Sequence, residues 1–266
     1  MQDSGENLWG RSETSEFTYT VTIPSVSQQA SLVVVQDRKI CTGIPAFPSH
    51  GHCVWDAALL LADFLQTKAN HMYHVTSSVQ DEEDLFEFNG KKVVELGAGV
   101  GLVGMTLAVL GARVVLTDQE YVLPLLTKNV TVNFSDETRN RLLEIAVPKV
   151  ESCQWGEPFQ SGGSLVSWLK STDVVIFSDV LYHASAYLLL LKTLHELVSP
   201  TTDVFFSFET RNATIESSFL LELGKTFDVA EVSREDSDQV FARFEYSDEF
   251  FIYHARLRAD AMMVKT

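Results

Sequence analysis

Lys91-Lys92-Val93-Val94-Glu95-Leu96-Gly97-Ala98-Gly99-Val100-Gly101 reads as a short apolar strand that runs straight into a glycine-rich turn, and the apolar residues that follow have helical spacing. Alternating glycines let such a turn fold tightly and let its backbone approach a ligand, while the helix behind it presents unpaired N–H groups. Strand, glycine turn and helix in succession form a loop that can cradle a cofactor. Outward from it, strand candidates KKVVEL (91–96), ARVVLTD (112–118), LLEIAVPKV (142–150), TDVVIFSD (172–179) and TDVFFSFE (202–209) alternate with helical stretches 100–111, 120–130 and 184–197. That alternation predicts a mostly parallel sheet covered on both faces. Pro124 must fall in the first turn of the second helix or kink it, and the connection 157–170 is poorly periodic. FDVAEVS (227–233) and EFFIYHARLR (249–258) are strand-like and are expected to close the sheet as an antiparallel edge pair.

Before Lys91 the pattern differs. Residues 1–16 are polar and read as a disordered tail, whereas FTYTVTI (17–23) and SLVVVQD (31–37) predict an accessory hairpin. Asp56 is the expected N-cap of a helix through DAALLLADFLQ, and Lys68–Asn89 reads as a loop. The expected division is therefore an accessory part, 17–89, joined as one structural unit to a cofactor-binding domain, 90–266. A chain of 266 residues that is 45% hydrophobic can bury one core of that size.

A formal charge of −16 argues against independent binding to nucleic acid, which draws on clustered Lys and Arg, and makes a cationic partner the electrostatically easy one. No apolar run is long enough to span a bilayer, and the first residues lack a basic start followed by an apolar stretch. Cys41, Cys53 and Cys153 form no C-x-x-C pair, so no disulfide framework or zinc knuckle is expected. A soluble protein of the cytosol, and of the nucleus as a further site, fits these features. The sequons at Asn129 and Asn212 carry no function in that setting. His50, His52 and Cys53, and His71 and His74, lack metal-ligand spacing, so no metal is expected; Asp81–Asp84 reads as a solvated acidic loop.

The choice of cofactor turns on the surroundings of the glycine loop. Gly99-Val100-Gly101-Leu102-Val103-Gly104 also satisfies the dinucleotide pattern G-x-G-x-x-G, and Asp118 stands where a ribose-binding carboxylate would serve either cofactor. Glu95 discriminates. Its carboxylate would repel a pyrophosphate and attract the ammonium of an amino-acid moiety, which favours S-adenosylmethionine.

In order, E-L-G-A-G-V-G, Thr117-Asp118, Gln154-Trp155-Gly156 and Ser178-Asp179-Val180-Leu181-Tyr182 resemble the motifs of the methyltransferase-like protein-lysine methyltransferases of family 16. The resemblance runs from Val54-Trp55-Asp56 to the final strand and implies a Rossmann-like seven-stranded methyltransferase sheet. It implies that Glu95, Gly97, Gly99 and Gly101 form the methionine end of the cofactor site, that Asp118 binds ribose, and that Trp155 lies beside adenine. Trp55 and Ser178 are implied near the cofactor as well, and Glu209 near the substrate. It also implies a protein substrate, a chaperone or translation factor among them.

Asp179 and Tyr182 are the catalytic and substrate-binding candidates. Ligands of open α/β sheets sit outside the carboxyl ends of the strands, which puts this D-x-x-Y on the rim that carries the glycine loop. A lysine with its usual pKa of about 10.4 is nearly all ammonium at neutral pH, so a carboxylate can capture and orient it before the proton is lost. The residues alone leave other readings open: Asp179 as a helix cap, Glu209 as a charge partner of Arg211, an arginine, histidine or small-molecule acceptor, a nicotinamide-dependent oxidoreductase, or a noncatalytic cofactor-binding protein. A monomer is expected.

Overall fold

The computed structural model describes residues 14–23, 28–41, 51–75, 88–135, 145–181, 183, 185–244 and 247–260. Strands β1 (Glu16–Ile23) and β2 (Gln28–Val35) pair along their whole length as an antiparallel hairpin. Strands β3 (Lys92–Leu96), β4 (Arg113–Asp118), β5 (Lys149–Ser152), β6 (Val174–Ser178), β7 (Asp203–Glu209), β8 (Phe227–Glu231) and β9 (Phe250–Leu257) make a second sheet, ordered β5-β4-β3-β6-β7-β9-β8. All neighbours through β7 are parallel, and β9 runs antiparallel to both β7 and β8. The strand order reverses between β3 and β6, and at such a switch point a crevice opens beyond the carboxyl ends of the strands.

Alternate residues of the central strands feed two cores, as a pleat requires. Val93, Val114, Ile176 and Phe205 pack under α1 (Asp56–Val75), α2 (Leu102–Val109) and α3 (Leu123–Asn133). Val94, Val115, Phe177 and Phe206 pack on the other face under α4 (Ser164–Trp168), α5 (Tyr187–Leu197) and α6 (Ala213–Leu223). Burial on both faces is why these strands read as unbroken apolar runs. The hairpin shares the first core, through Tyr19, Val21, Leu32 and Val34.

Its outer strand is held by side chains that imitate a neighbouring strand. Val35 N–H donates to Asn129 Oδ1 at 2.8 Å and Asn129 Nδ2 donates to Val35 O at 3.2 Å, while Asn133 makes the same pair with Val33 at 2.7 and 2.8 Å. Asn129 also donates to Val100 O of the glycine loop at 3.0 Å. With 0% of its surface exposed, Asn129 has no room for a glycan. On the hairpin's other side, Tyr19 Oη donates to Asp63 Oδ1 at 2.7 Å and Arg243 Nη1 to Asp63 Oδ2 at 2.6 Å.

Three local expectations change. The third strand covers Lys149–Ser152, with Ile145–Pro148 outside it and 142–144 outside the described residues; it begins straight after Pro148, which has no N–H to give a ladder. Helix α1 continues to Val75, into the stretch expected as loop from Lys68, because that stretch holds neither Gly nor Pro. Asp56 is not the cap: Ala58 and Leu59 N–H donate to Trp55 O, so Trp55 holds the cap position and Asp56 sits in the first turn, where its charge suits the helix dipole. Pro124 falls in the first turn of α3, and the weakly periodic connection contains the short α4. Residues 1–13 and the acidic run 81–84 lie outside the described residues. No described helix is long and apolar enough to cross a membrane.

Candidate active site

The glycine turn leaves β3 with Gly97 at φ 69°, and a Cβ there would meet Val180 Cγ1 at 2.9 Å and the Trp155 ring at 3.2 Å. Only a glycine leaves the indole that close to the backbone. Ala98 N–H donates to Thr117 O, and Gly99 N–H donates to Asp118 Oδ2 at 2.7 Å, which ties the turn to the end of β4. Asp118 Oδ1 accepts from Gln119 N–H at 2.7 Å. Gly101 faces away from the crevice, with Leu126 and Leu116 beside its Cα. Gly104 is a packing glycine in α2: a Cβ would stand 2.3 Å from Leu116 Cδ2. Close helix–strand contact therefore accounts for the last glycine of the dinucleotide-like pattern, a role that this glycine has with either cofactor.

A cavity of about 380 Å³ occupies the switch point. Glu95, Gly97, Gly99 and Asp118 line it together with Trp155, Trp55, Ser178 and Asp179. Trp155 is steadied by the next residue, since Gly156 N–H donates to Thr193 Oγ1 of α5 at 2.9 Å. Glu95 is 2% exposed and its Oε2 accepts from Gly104 N–H at 2.9 Å. Burial pushes its carboxyl up to about 8 against the opposing pull of that N–H, and burial likewise pushes Asp118 up to about 6 against its two N–H donors.

Asp179 follows β6 in the left-handed region, φ 54°, a conformation that Asp tolerates better than most residues. Its N–H donates to Ser207 O on β7, and its side chain, 5% exposed, accepts from Arg211 Nη1 at 2.6 Å. Arg211 Nη2 reaches Glu209 Oε2 at 2.5 Å, and the guanidinium lies 5.3 Å from the Trp55 ring centre. The charge partnership of Glu209 with Arg211 is therefore real and includes Asp179. Tyr182 lies outside the described residues; its neighbours Leu181 and His183 are buried and exposed respectively.

Several lining residues carry no local signature. Gly51 backs Gly99, with the atoms of Gly51 3.5 Å from where a Gly99 Cβ would be, and Leu189 reaches the cavity from α5. Cys153 lines it too, but burial and then the charge of Asp118 push its thiol up to about 12, so it is no nucleophile at neutral pH. Among the described residues no group of three or more His, Cys, Asp or Glu could hold a metal.

The donor set suits an amino-acid-bearing nucleoside: a carboxylate beside the glycine turn for an ammonium, a second at the strand end for a diol, and an indole for a flat base. Comparison with known proteins agrees. The family model described as lysine methyltransferase matches residues 45–226. EEF1A lysine methyltransferase 3 of Xenopus tropicalis is 30% identical over 186 residues, 70% of this chain and 70% of that one. Protein N-lysine methyltransferase METTL21A of Danio rerio is 35% identical over 182 residues, 67% of this chain and 69% of that one. A switch-point cavity walled by Glu95, Asp118 and Trp155, a seven-stranded sheet with an antiparallel edge and a match over most of the chain lead to one assignment: this protein belongs to the lysine methyltransferase family and is an S-adenosylmethionine-dependent enzyme.

Proposed function

We propose that Asp179 receives the side-chain amine of a protein lysine at the rim of the cofactor cavity and aims it for methylation. The observation that carries this is the Asp179 carboxylate itself. It lines the cavity, one oxygen is fixed by Arg211, and no described donor reaches Oδ2. S-adenosylmethionine supplies an electrophilic methyl group on a sulfonium. Glu95 would hold the ammonium of its amino-acid end, Asp118 its ribose hydroxyls and Trp155 its adenine. Gly97 and Gly99 give these groups room, and Ser178 stands beside Asp179 on the same wall. The Trp55 ring carries the Arg211 guanidinium at 5.3 Å, a contact on the scale of about 0.5–2 kcal/mol that holds Arg211 beside Asp179. Glu209, held by Arg211, is the second acid beside Asp179.

The name of one relative specifies EEF1A, which supports a translation factor as the first substrate to try, with a chaperone as the second. We place the reaction in the cytosol, with the nucleus as a second compartment, and take the working unit to be a monomer. Labelled cofactor incubated with extract from cells lacking the protein, followed by mass spectrometry of the labelled band, tests the reading. A methylated lysine in a discrete protein is expected. Label confined to RNA or metabolites, or to arginine or histidine, would overturn it.

A further inference from the structure

The surroundings of Asp179 are too acidic for a simple amine trap. Carboxylates that capture an ammonium also stabilise its charged form, and a captured ammonium has no lone pair to attack with. Asp179 and Glu209 face the same point from the ends of β6 and β7. Asp56, in the first turn of α1, acts on both Glu209 and Arg211, and Glu249, just before β9, acts on Glu209. His183 lines the adjoining wall. Among these groups Arg211 is the one fixed cation. Burial raises the Glu209 carboxyl, Arg211 opposes that rise, and the neighbouring acids add to it, so the cluster is electrostatically coupled.

Arg211 is also aimed by its own loop. Its backbone N–H and that of Asn212 both donate to Glu216 Oε1 at 2.8 Å, and Thr210 N–H donates to Glu249 O at 2.7 Å. Asn212 in turn caps α6 by accepting from Ile215 N–H at 3.2 Å. A loop pinned at three successive residues points the guanidinium, itself 42% exposed, at Asp179 Oδ1.

We infer that Arg211 is a positioning residue that also sets the charge balance around the acceptor lysine: it fixes Asp179 by one oxygen, leaves Oδ2 for the amine, and offsets the acidic field so that the captured ammonium sheds its proton. The proton passes to water. The freed lone pair then forms the N–C bond as the methyl leaves sulfur, and the positive charge moves from the sulfonium to the methylated amine. Binding and reactivity thus oppose each other at this rim, and Arg211 trades some of the first for the second.

Arg211→Met keeps an apolar stem over Trp55 and removes the charge; Arg211→Lys keeps the charge and loses the fork. Two readings are needed. In the first, n-butylamine, standing for a lysine side chain, is titrated at about pH 7 into protein carrying S-adenosylhomocysteine and followed at the Trp55 indole resonance. In the second, methyl transfer into the protein band labelled in extract is followed against pH. Arg211→Met is expected to bind butylammonium at least about threefold tighter, yet to transfer methyl about tenfold more slowly near neutrality. Its acid limb should move up by about one pH unit, so that the deficit closes in alkaline buffer, as removal of a charge within a few ångströms implies. Arg211→Lys should keep the limb near that of the wild type. Parallel loss of binding and rate at every pH would make Arg211 merely structural and overturn the inference. Tighter binding with faster transfer at every pH would overturn it too, leaving Arg211 as an occupant that the lysine displaces. Cofactor affinity within about twofold of wild type shows that the site is intact. The inference rests on the lysine reading: a wild type that labels no protein would sink that reading, whereas a labelling wild type with either contrary pattern sinks only this one.

Discussion

Asp179 separates structure from chemistry at the level of a single residue. Asn keeps the shape, tolerates the left-handed backbone and can still accept from Arg211, so Asp179→Asn should leave folding and cofactor affinity intact. It removes the charge that captures the amine, and methyl transfer should fall by about two orders of magnitude. A near-wild-type rate would leave Asp179 a structural residue. Glu95 and Asp118 make a second test, because burial holds their carboxyls up to about 8 and about 6. A bound ammonium beside Glu95 and hydroxyl donors on Asp118 would both favour the ionised forms, lowering those values. Binding should therefore release protons, and affinity should rise with pH below each group's own value, up to about 6 for Asp118 and up to about 8 for Glu95, by at most about tenfold per unit for each group. Calorimetry in buffers of different ionisation enthalpy checks this; a flat affinity would move both residues away from the cofactor. That Glu95, Asp118 and Asp179 share one cavity was legible in sequence because each lies at a strand end or beside the glycine turn, whereas Trp155 was placed there by the family resemblance. The grip of Arg211 on Asp179 was not, since the two stand on different loops 32 residues apart and only the fold brings them together.

At the scale of elements, the central strands announced themselves as apolar runs because both of their faces are covered. The edge strand β5 did not, and the start set by Pro148 outweighed the apolar residues before it. The tie of the hairpin to the domain was also invisible: Asn129 and Asn133 sit one helical turn apart on α3, and their amides complete the edge of β2. A reading of sequons sees only a surface asparagine. The structure assigns Asn129 the job of satisfying Val35 on the hairpin and Val100 on the glycine loop together. Asn129→Leu, close in volume, would orphan those buried groups and should cost about 2–4 kcal/mol. Chemical denaturation should show a lower midpoint with an unchanged slope. A loss below about 0.5 kcal/mol would mean that the hairpin edge finds other partners.

Across the whole molecule, the net charge bears on the kind of partner that is electrostatically easy to approach. The chain carries a formal charge of −16, and Asp179, which lines the cavity, shares Arg211 with Glu209, with the charges of Asp56 and Glu249 close enough to act on that cluster. A field of that sign repels nucleic acid and draws in a basic protein surface, raising the rate of encounter more than the strength of the final complex. Salt screens such steering over about 10 Å at 0.1 M ionic strength and about 3 Å at 1 M. The cofactor enters a walled cavity, where its contacts with Glu95 and Asp118 are short-ranged and far less screened. The two substrates should therefore respond differently. Raising ionic strength from about 0.02 M to about 0.5 M should lower kcat/KM for the protein acceptor about tenfold, with KM for S-adenosylmethionine changing less than about twofold. If kcat/KM for the acceptor proves indifferent to salt, recognition is set by contacts made after docking, and the acidic cluster around Arg211 serves the chemistry of the lysine alone.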